Sequence, residues 1–174
     1  MLRARIIGVA TLAAAAAITL SACGSTTGHV TPTPPPAAPA APAPPPAPPP
    51  ATALATAKAG KLGTVVVDGR GLTLYRFDKD SAKPPASNCA DACATTWPPL
   101  LVASADAARS LPLTGVNRAK VGTVERSDGA LQLTIGGWPV YTYSGDTAGE
   151  WNGQGIGGTW FAVKPDGKKA GAAK

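Results

Sequence analysis

The chain has 174 residues, a formal net charge of +6 and 19 prolines: enough length for one domain with its own core and too little for two large ones. Its one histidine is His29 and its one methionine is the initiator, so everything after residue 60 has neither. That excludes Ser-His-Asp and Cys-His catalysis, His-ligated zinc or copper, and His- or Met-ligated haem in that part, unless a partner supplies the ligand.

Arg3 and Arg5 precede an uncharged apolar stretch over residues 6–20, short for a membrane span and ordinary for the core of a signal peptide. Leu20-Ser21-Ala22-Cys23 follows and is similar to a bacterial lipobox. The resemblance implies that residues 1–22 are a cleaved signal peptide and that Cys23 is diacylglycerylated on sulfur and acylated on its new amine, palmitate being a typical chain. The lipid bilayer is then a partner, and each buried CH₂ contributes about 0.8 kcal/mol to anchoring. Twelve of the prolines fall within residues 31–50, interleaved with Ala. Proline fixes φ and lacks an N–H, which excludes helix and sheet and leaves polyproline II. At about 3.1 Å per residue that segment reaches roughly 60 Å. Residues 23–60 are therefore expected to form a disordered Pro/Ala stalk at the outer face of the cell membrane. A ligand for a polyproline-binding partner is the rival reading.

Residues 61–167 carry the folded domain, and residues 168–174 read as a disordered Ala/Gly/Lys tail. Gly63-Thr64-Val65-Val66-Val67 is β-branched and ends at the turn residues Asp68-Gly69. Strands are also expected over residues 72–77, 121–124, 131–135, 138–143 and 160–163. One short helix is expected over residues 89–95, capped by Asn88, with Asp91 near its N-terminus. Residues 71–80 align without gaps on residues 137–146, matching Gly, apolar, Tyr, an aromatic two later and Asp three beyond. Upstream, Gly63-Thr64-Val65 echoes Gly122-Thr123-Val124, with extra residues in the second copy. The expected fold is all-β: a small antiparallel sandwich or barrel-like domain of two pseudo-repeated hairpin units, each covering the other's apolar face.

The doubled Tyr-x4-Asp pattern resembles the bacterial secreted-repeat lipoproteins described by a conserved Y-x4-D motif. Cys89-Ala90-Asp91-Ala92-Cys93, Trp97-Pro98-Pro99-Leu100, Asn152-Gly153-Gln154-Gly155 and Pro165-Asp166-Gly167 follow in matching order. Glu150-Trp151 departs from the pattern, which expects Asp- and Thr-like residues there. The resemblance implies a secreted or membrane-anchored β domain and no established activity.

Tyr75 with Phe77, and Tyr141 with Tyr143, lie two residues apart and so share a strand face, with Asp80 and Asp146 three residues beyond. Two roles stand open for them. The rings pack in the core while the carboxylates fix turns by accepting backbone N–H groups, or the six residues line a ligand groove. Cys89 and Cys93 are the free pair left in an oxidising compartment, spaced for a disulfide across one helical turn. The alternative is thiol–disulfide exchange, or Cu(I) on two thiolates. Asp146, Glu150 and Asp166, with Asn152, offer a carboxylate pair or a Ca²⁺ loop without the spacing of an EF-hand. No phosphate loop or dinucleotide fingerprint is present.

Loss of Arg3 and Arg5 lowers the formal charge from +6 to +4, dispersed in a way that suits anionic wall polymers or lipid headgroups rather than nucleic acid. The expected function is non-catalytic binding or scaffolding at the cell envelope, by a monomer without cofactor, catalytic residue or resident metal. A cell-wall polymer or a membrane protein is the expected partner. A redox, copper or haem accessory role through the cysteine pair, and an acid-based hydrolase of wall glycans, are the alternatives.

Overall fold

The computed structural model describes residues 52–171. The expected signal peptide, Cys23, the proline-rich segment and residues 172–174 lie outside them. In chain order the elements are β1 (Leu54–Lys58), β2 (Thr64–Asp68), β3 (Tyr75–Phe77), β4 (Ser81–Ala82), β5 (Pro85–Ala86), α1 (Ala92–Thr96), β6 (Leu101–Val102), α2 (Ala105–Ser110), β7 (Leu113–Thr114), β8 (Val121–Glu125), β9 (Leu131–Ile135), β10 (Trp138–Pro139) and β11 (Trp160–Ala162). The domain is all-β, with strands in several small sheets that do not close into a barrel. Pairing is antiparallel except where β1 meets β7 in parallel through Leu54 and Ala55. Among the described residues, no helix is long and apolar enough to cross a membrane.

The β-branched run of β2 is buried on both faces because it divides two cores. Alternation sends Val66 into an aliphatic cluster with Leu74, Leu100, Leu133, Val140 and Val163. Val65 and Val67 face the other way, into a cluster with Tyr75, Phe77, Trp97, Tyr141 and Trp160. In β9, Leu133 and Ile135 join the aliphatic cluster, while Gln132 and Thr134, fully or nearly buried, take the alternate positions.

The two copies are interleaved rather than merely packed. β1 and β2 form an antiparallel hairpin, as do β8 and β9. At the tip of each, one backbone bond closes the turn, Ala59 N–H to Gly63 O and Arg126 N–H to Ala130 O, both 2.9 Å. Leu74 N–H donates to Val66 O (2.9 Å), and Val140 N–H to Leu133 O (3.1 Å). The segment after each tryptophan then crosses to the other copy. Leu100 pairs with Val140 and Leu133, and Val163 pairs with Leu74 and Val66, through four bonds of 2.9–3.0 Å. At the centre Tyr75 and Tyr141 exchange both backbone bonds, 2.8 and 2.9 Å. Each half thus completes its partner's sheet in a pseudo-two-fold arrangement.

Several expectations need correction. The Gly63-Thr64-Val65 echo pairs the wrong strands: β2 corresponds to β9, and β1 corresponds to β8. The expected stalk runs too far, because Leu54–Lys58 is β1, with Leu54 fully buried in the aliphatic core. Its Ala-Thr-Ala-Lys composition continues the low-complexity segment and conceals the strand. The expected tail also starts too early: Ala170 is fully buried, its N–H donates to Ala162 O (2.7 Å), and Lys169 Nζ pairs with Asp78 (2.5 Å). Among the described residues there are two short α-helices, not one. The first spans Ala92–Thr96, later than expected, because Asp91 has a left-handed φ of 51° and cannot continue a helix backwards. Asn88 does not cap it. The second, α2, is capped by Ser104, whose Oγ accepts Ala107 N–H at 3.0 Å.

Candidate functional site

The interleaving brings all six singled-out residues to the domain centre. An extended chain puts residues five apart at roughly 16 Å, so a tyrosine pairs more readily with the other copy's aspartate than with its own. That is what happens. Tyr75 Oη donates to Asp146 Oδ2 at 2.5 Å, and Tyr141 Oη donates to Asp80 Oδ2 at 2.8 Å. Each aspartate closes its own turn, Asp80 N–H to Phe77 O and Asp146 N–H to Tyr143 O, both 3.1 Å. The remaining carboxylate oxygens accept backbone N–H groups from Asn88 (2.7 Å) and Asn152 (2.8 Å). The two asparagine amides in turn donate to Lys79 O (2.6 Å) and Gly145 O (3.4 Å). Asn88 and Asn152 thus belong to the motif. Their unequal distances from the aspartates hid the match in the sequence.

The rings follow the same symmetry. Trp97 and Trp160 stack at 3.9 Å with an interplanar angle of 1°. Phe77 stacks on Trp160 at 4.2 Å, and Tyr143 leans on Trp97 at 4.6 Å. Tyr75 meets Trp97 edge-on at 5.4 Å, and Tyr141 meets Trp160 edge-on at 5.2 Å. Offset and edge contacts of this kind add about 0.5–1.5 kcal/mol per pair beyond area burial. Tyr75 and Tyr141 are fully buried, Phe77 is nearly so, and Tyr143 is half-buried.

Burial first, and the neighbouring carboxylate second, push the Tyr75 phenol far above its usual range; burial does the same to Tyr141, with Asp80 adding to it. Both phenols therefore stay protonated and serve as donors. Burial raises the Asp80 carboxyl as well, opposed by the bonds from Asn88 and Tyr141 and by the Arg126 charge. Such groups are suited to holding a turn and a strand.

The chain matches the family model described as a secreted repeat of unknown function, twice, over residues 56–101 and 122–164. It belongs to this family. The two matches begin in β1 and β8, the same correspondence that the hydrogen bonds give. Neither a curated protein nor a solved structure matches the chain. In this secreted repeat the core rings and carboxylates are joined in a lock between the two halves.

Cys89 and Cys93 form a disulfide, with Cα atoms 5.2 Å apart. Cys89 is fully buried, and its carbonyl accepts a bond from Arg126 Nη2 at 2.8 Å. The remaining acids are dispersed. Glu150 accepts from Thr147 N–H (2.8 Å) and Asn152 Nδ2 (3.2 Å), and Asp166 pairs with Lys168 at 3.6 Å. No group of three or more His, Cys, Asp or Glu is placed to hold a metal ion among the described residues.

What reaches solvent is different. Trp151, in the departing Glu150-Trp151 pair, is 37% exposed and lies across the turn at Gly60–Leu62. Gly60 has φ 48°, and a Cβ there would come within 3.3 Å of Trp151 Cζ2, so glycine serves both the turn and the close approach. A groove of about 600 Å³ runs between this turn and residues 151–154.

Proposed function

We propose that this secreted repeat is a membrane-anchored envelope lipoprotein whose domain binds or scaffolds rather than catalyses. The observation that carries the reading is the reciprocal Tyr–Asp lock. The chain's most chemically suggestive residues, present in two copies, are all engaged in joining the two halves. Function is left to the surface loops, where Trp151 and its groove lie. The anchor half of the reading rests on Leu20-Ser21-Ala22-Cys23 and on the family's secreted character. The proline-rich segment serves as the spacer that lifts the domain from the bilayer.

Fractionation with palmitate labelling tests the anchor. The full chain sediments with membranes and takes up label, whereas Cys23→Ala does neither; a Cys23→Ala chain that still sediments and still labels would refute it. Turnover of purified wall glycan by the full chain, lost in Asp80→Asn or Asp146→Asn variants that remain folded, would refute the non-catalytic half.

A further inference from the structure

We infer that the Lys61–Trp151 groove is the binding site, and that its ligand is an anionic polysaccharide strand. This rests on the envelope-binding reading above and gives it a substrate class. Two concavities meet at Lys61 and Leu62. The first, about 600 Å³, is walled by Trp151 and Gln154. The second, about 470 Å³, continues past Thr64 to Lys164 and Asp166. Together they form one track with an indole at one end and ammonium groups along the other.

The charge of the track is one-sided. Lys58 reaches it by donating to Thr64 Oγ1 at 2.9 Å. Asp166, the acid lining the track, lies 3.6 Å from Lys168 and also feels the Lys164 charge, so the cations outnumber it. The ammonium groups of Lys61 and Lys164 make no hydrogen bond or ion pair among the described residues. They are the cations available to a ligand. The wall amides are occupied and hold the shape. Gln154 Nε2 donates to Ala170 O (3.3 Å) and Gly171 O (3.4 Å), and its Oε1 accepts Ala162 N–H (2.8 Å). The track is therefore braced by the same C-terminal segment that the sequence suggests is loose.

The chemistry of the ligand follows. An indole in the wall of a groove offers apolar surface to a ring with an apolar CH face, and cations spaced beyond it favour anionic substituents. Pyranose units bearing carboxylate or phosphate supply both. A bilayer surface suits Trp151 less well. The Cζ2 edge of the indole sits close to Gly60 and Trp151 lines a concavity, where a membrane would demand an apolar prominence.

The test uses the purified full chain, in detergent with polygalacturonate as the anionic glycan and dextran as the neutral one, and after detergent removal with phosphatidylglycerol against phosphatidylcholine vesicles as the lipid arm. Polygalacturonate should retard the chain in affinity electrophoresis, dextran should not, and added salt should weaken the retention. Lys61→Glu with Lys164→Glu should weaken binding about tenfold or more, and Trp151→Ala about fivefold, with Trp151→Phe largely restored. Thermal melts of the lysine variants and of Trp151→Phe should stay close to wild type, whereas Trp151→Ala loses the packing of a mostly covered indole and should melt lower while remaining folded at the assay temperature. Unaltered binding by the variants would overturn the inference, as would absent binding by wild type. A loss confined to the preference for phosphatidylglycerol vesicles would assign the track to lipid and overturn it too. The same preparation separates the two levels of the argument. A chain that sediments with the envelope and ignores polygalacturonate defeats the groove alone. A chain that does not associate with the envelope defeats the broader reading.

Discussion

The two halves make the same lock in different surroundings. Asp80 and Tyr141 sit in a closed polar network: Tyr141 Oη also bonds Ser87 Oγ (2.7 Å), and Arg126 Nη1 donates to Ser87 (2.8 Å) and Gln132 Oε1 (2.9 Å). Asp146 and Tyr75 sit under a loop, with Gly153 N–H reaching Tyr75 Oη at 3.3 Å and solvent close by. The equivalent of Arg126 in the first hairpin is Ala59, and the equivalent of Gln132 is Val65, both apolar and buried. A fold needs its symmetric contacts only at the interface between copies. Elsewhere one lock is enclosed by the charged network around Arg126, and the other lies under the loop that carries Trp151.

The largest asymmetry is Arg126. Its side chain is 3% exposed and feeds two buried acceptors, Gln132 and the Cys89 carbonyl, and the half-buried Ser87. Arg126→Ala strands those acceptors and removes the larger of the two arginine charges acting on Asp80, and is expected to cost about 3–5 kcal/mol. Ala59→Gly at the equivalent position should cost about 1 kcal/mol. Chemical denaturation of both variants checks the contrast. Equal losses would mean that the network contributes nothing beyond packing.

The tyrosines give a finer comparison. Tyr141→Phe leaves a nearly buried Asp80 oxygen without its donor and should destabilise by about 1–3 kcal/mol. Tyr75→Phe should cost about 1 kcal/mol or less, because water can reach Asp146 from the loop side. Reversal of that order would show that the loop seals Asp146 better than its exposure indicates. Gly153 adds a check on the same side. A Cβ there would fall 2.8 Å from Tyr75 Cζ and 2.9 Å from Trp97, so Gly153→Ala should cost about 1–3 kcal/mol by overpacking.

The sequence revealed the repeat but not its interleaving. β2, β8, β9 and β11 announced themselves through β-branched or alternating runs, and the tyrosine and aspartate positions through ungapped similarity. The crossing of Leu100 and Val163 into the opposite copy left no local trace, because which sheet a short strand joins depends on long-range pairing rather than propensity. Two-residue pairs such as β4–β5 and β6–β9 carry too few residues to show a period. The site was legible as residues and not as a role. Tyr75 next to Asp80 suggests a local pair, and only the exchange of strands shows that each tyrosine serves the other aspartate. Trp151 was visible merely as a departure from the family pattern.

The smallest effect is also the one that separates the halves by sign. In the first half, burial raises the folded-state pKa of Asp80 above its ordinary value. The folded state then binds a proton more readily than the unfolded chain between that ordinary value and the raised one. The Asp80 contribution is fully present below the ordinary value and is lost as pH rises through the raised one. In the second half, Thr147 N–H chiefly, with Asn152, holds Glu150 below its ordinary value. Its contribution is present above the ordinary glutamate value and is lost as pH falls through the lowered one. Acidification should therefore strengthen one half's contribution and weaken the other's. Asp80→Asn should remove the gain and steepen the acid-side loss of stability, whereas Glu150→Gln should remove part of the loss. Melting curves from pH 7 to pH 3 check both. Parallel curves for wild type and Asp80→Asn would show that Asp80 is ionised in the fold as freely as in the unfolded chain, and the buried character of the first half's lock would have to be given up.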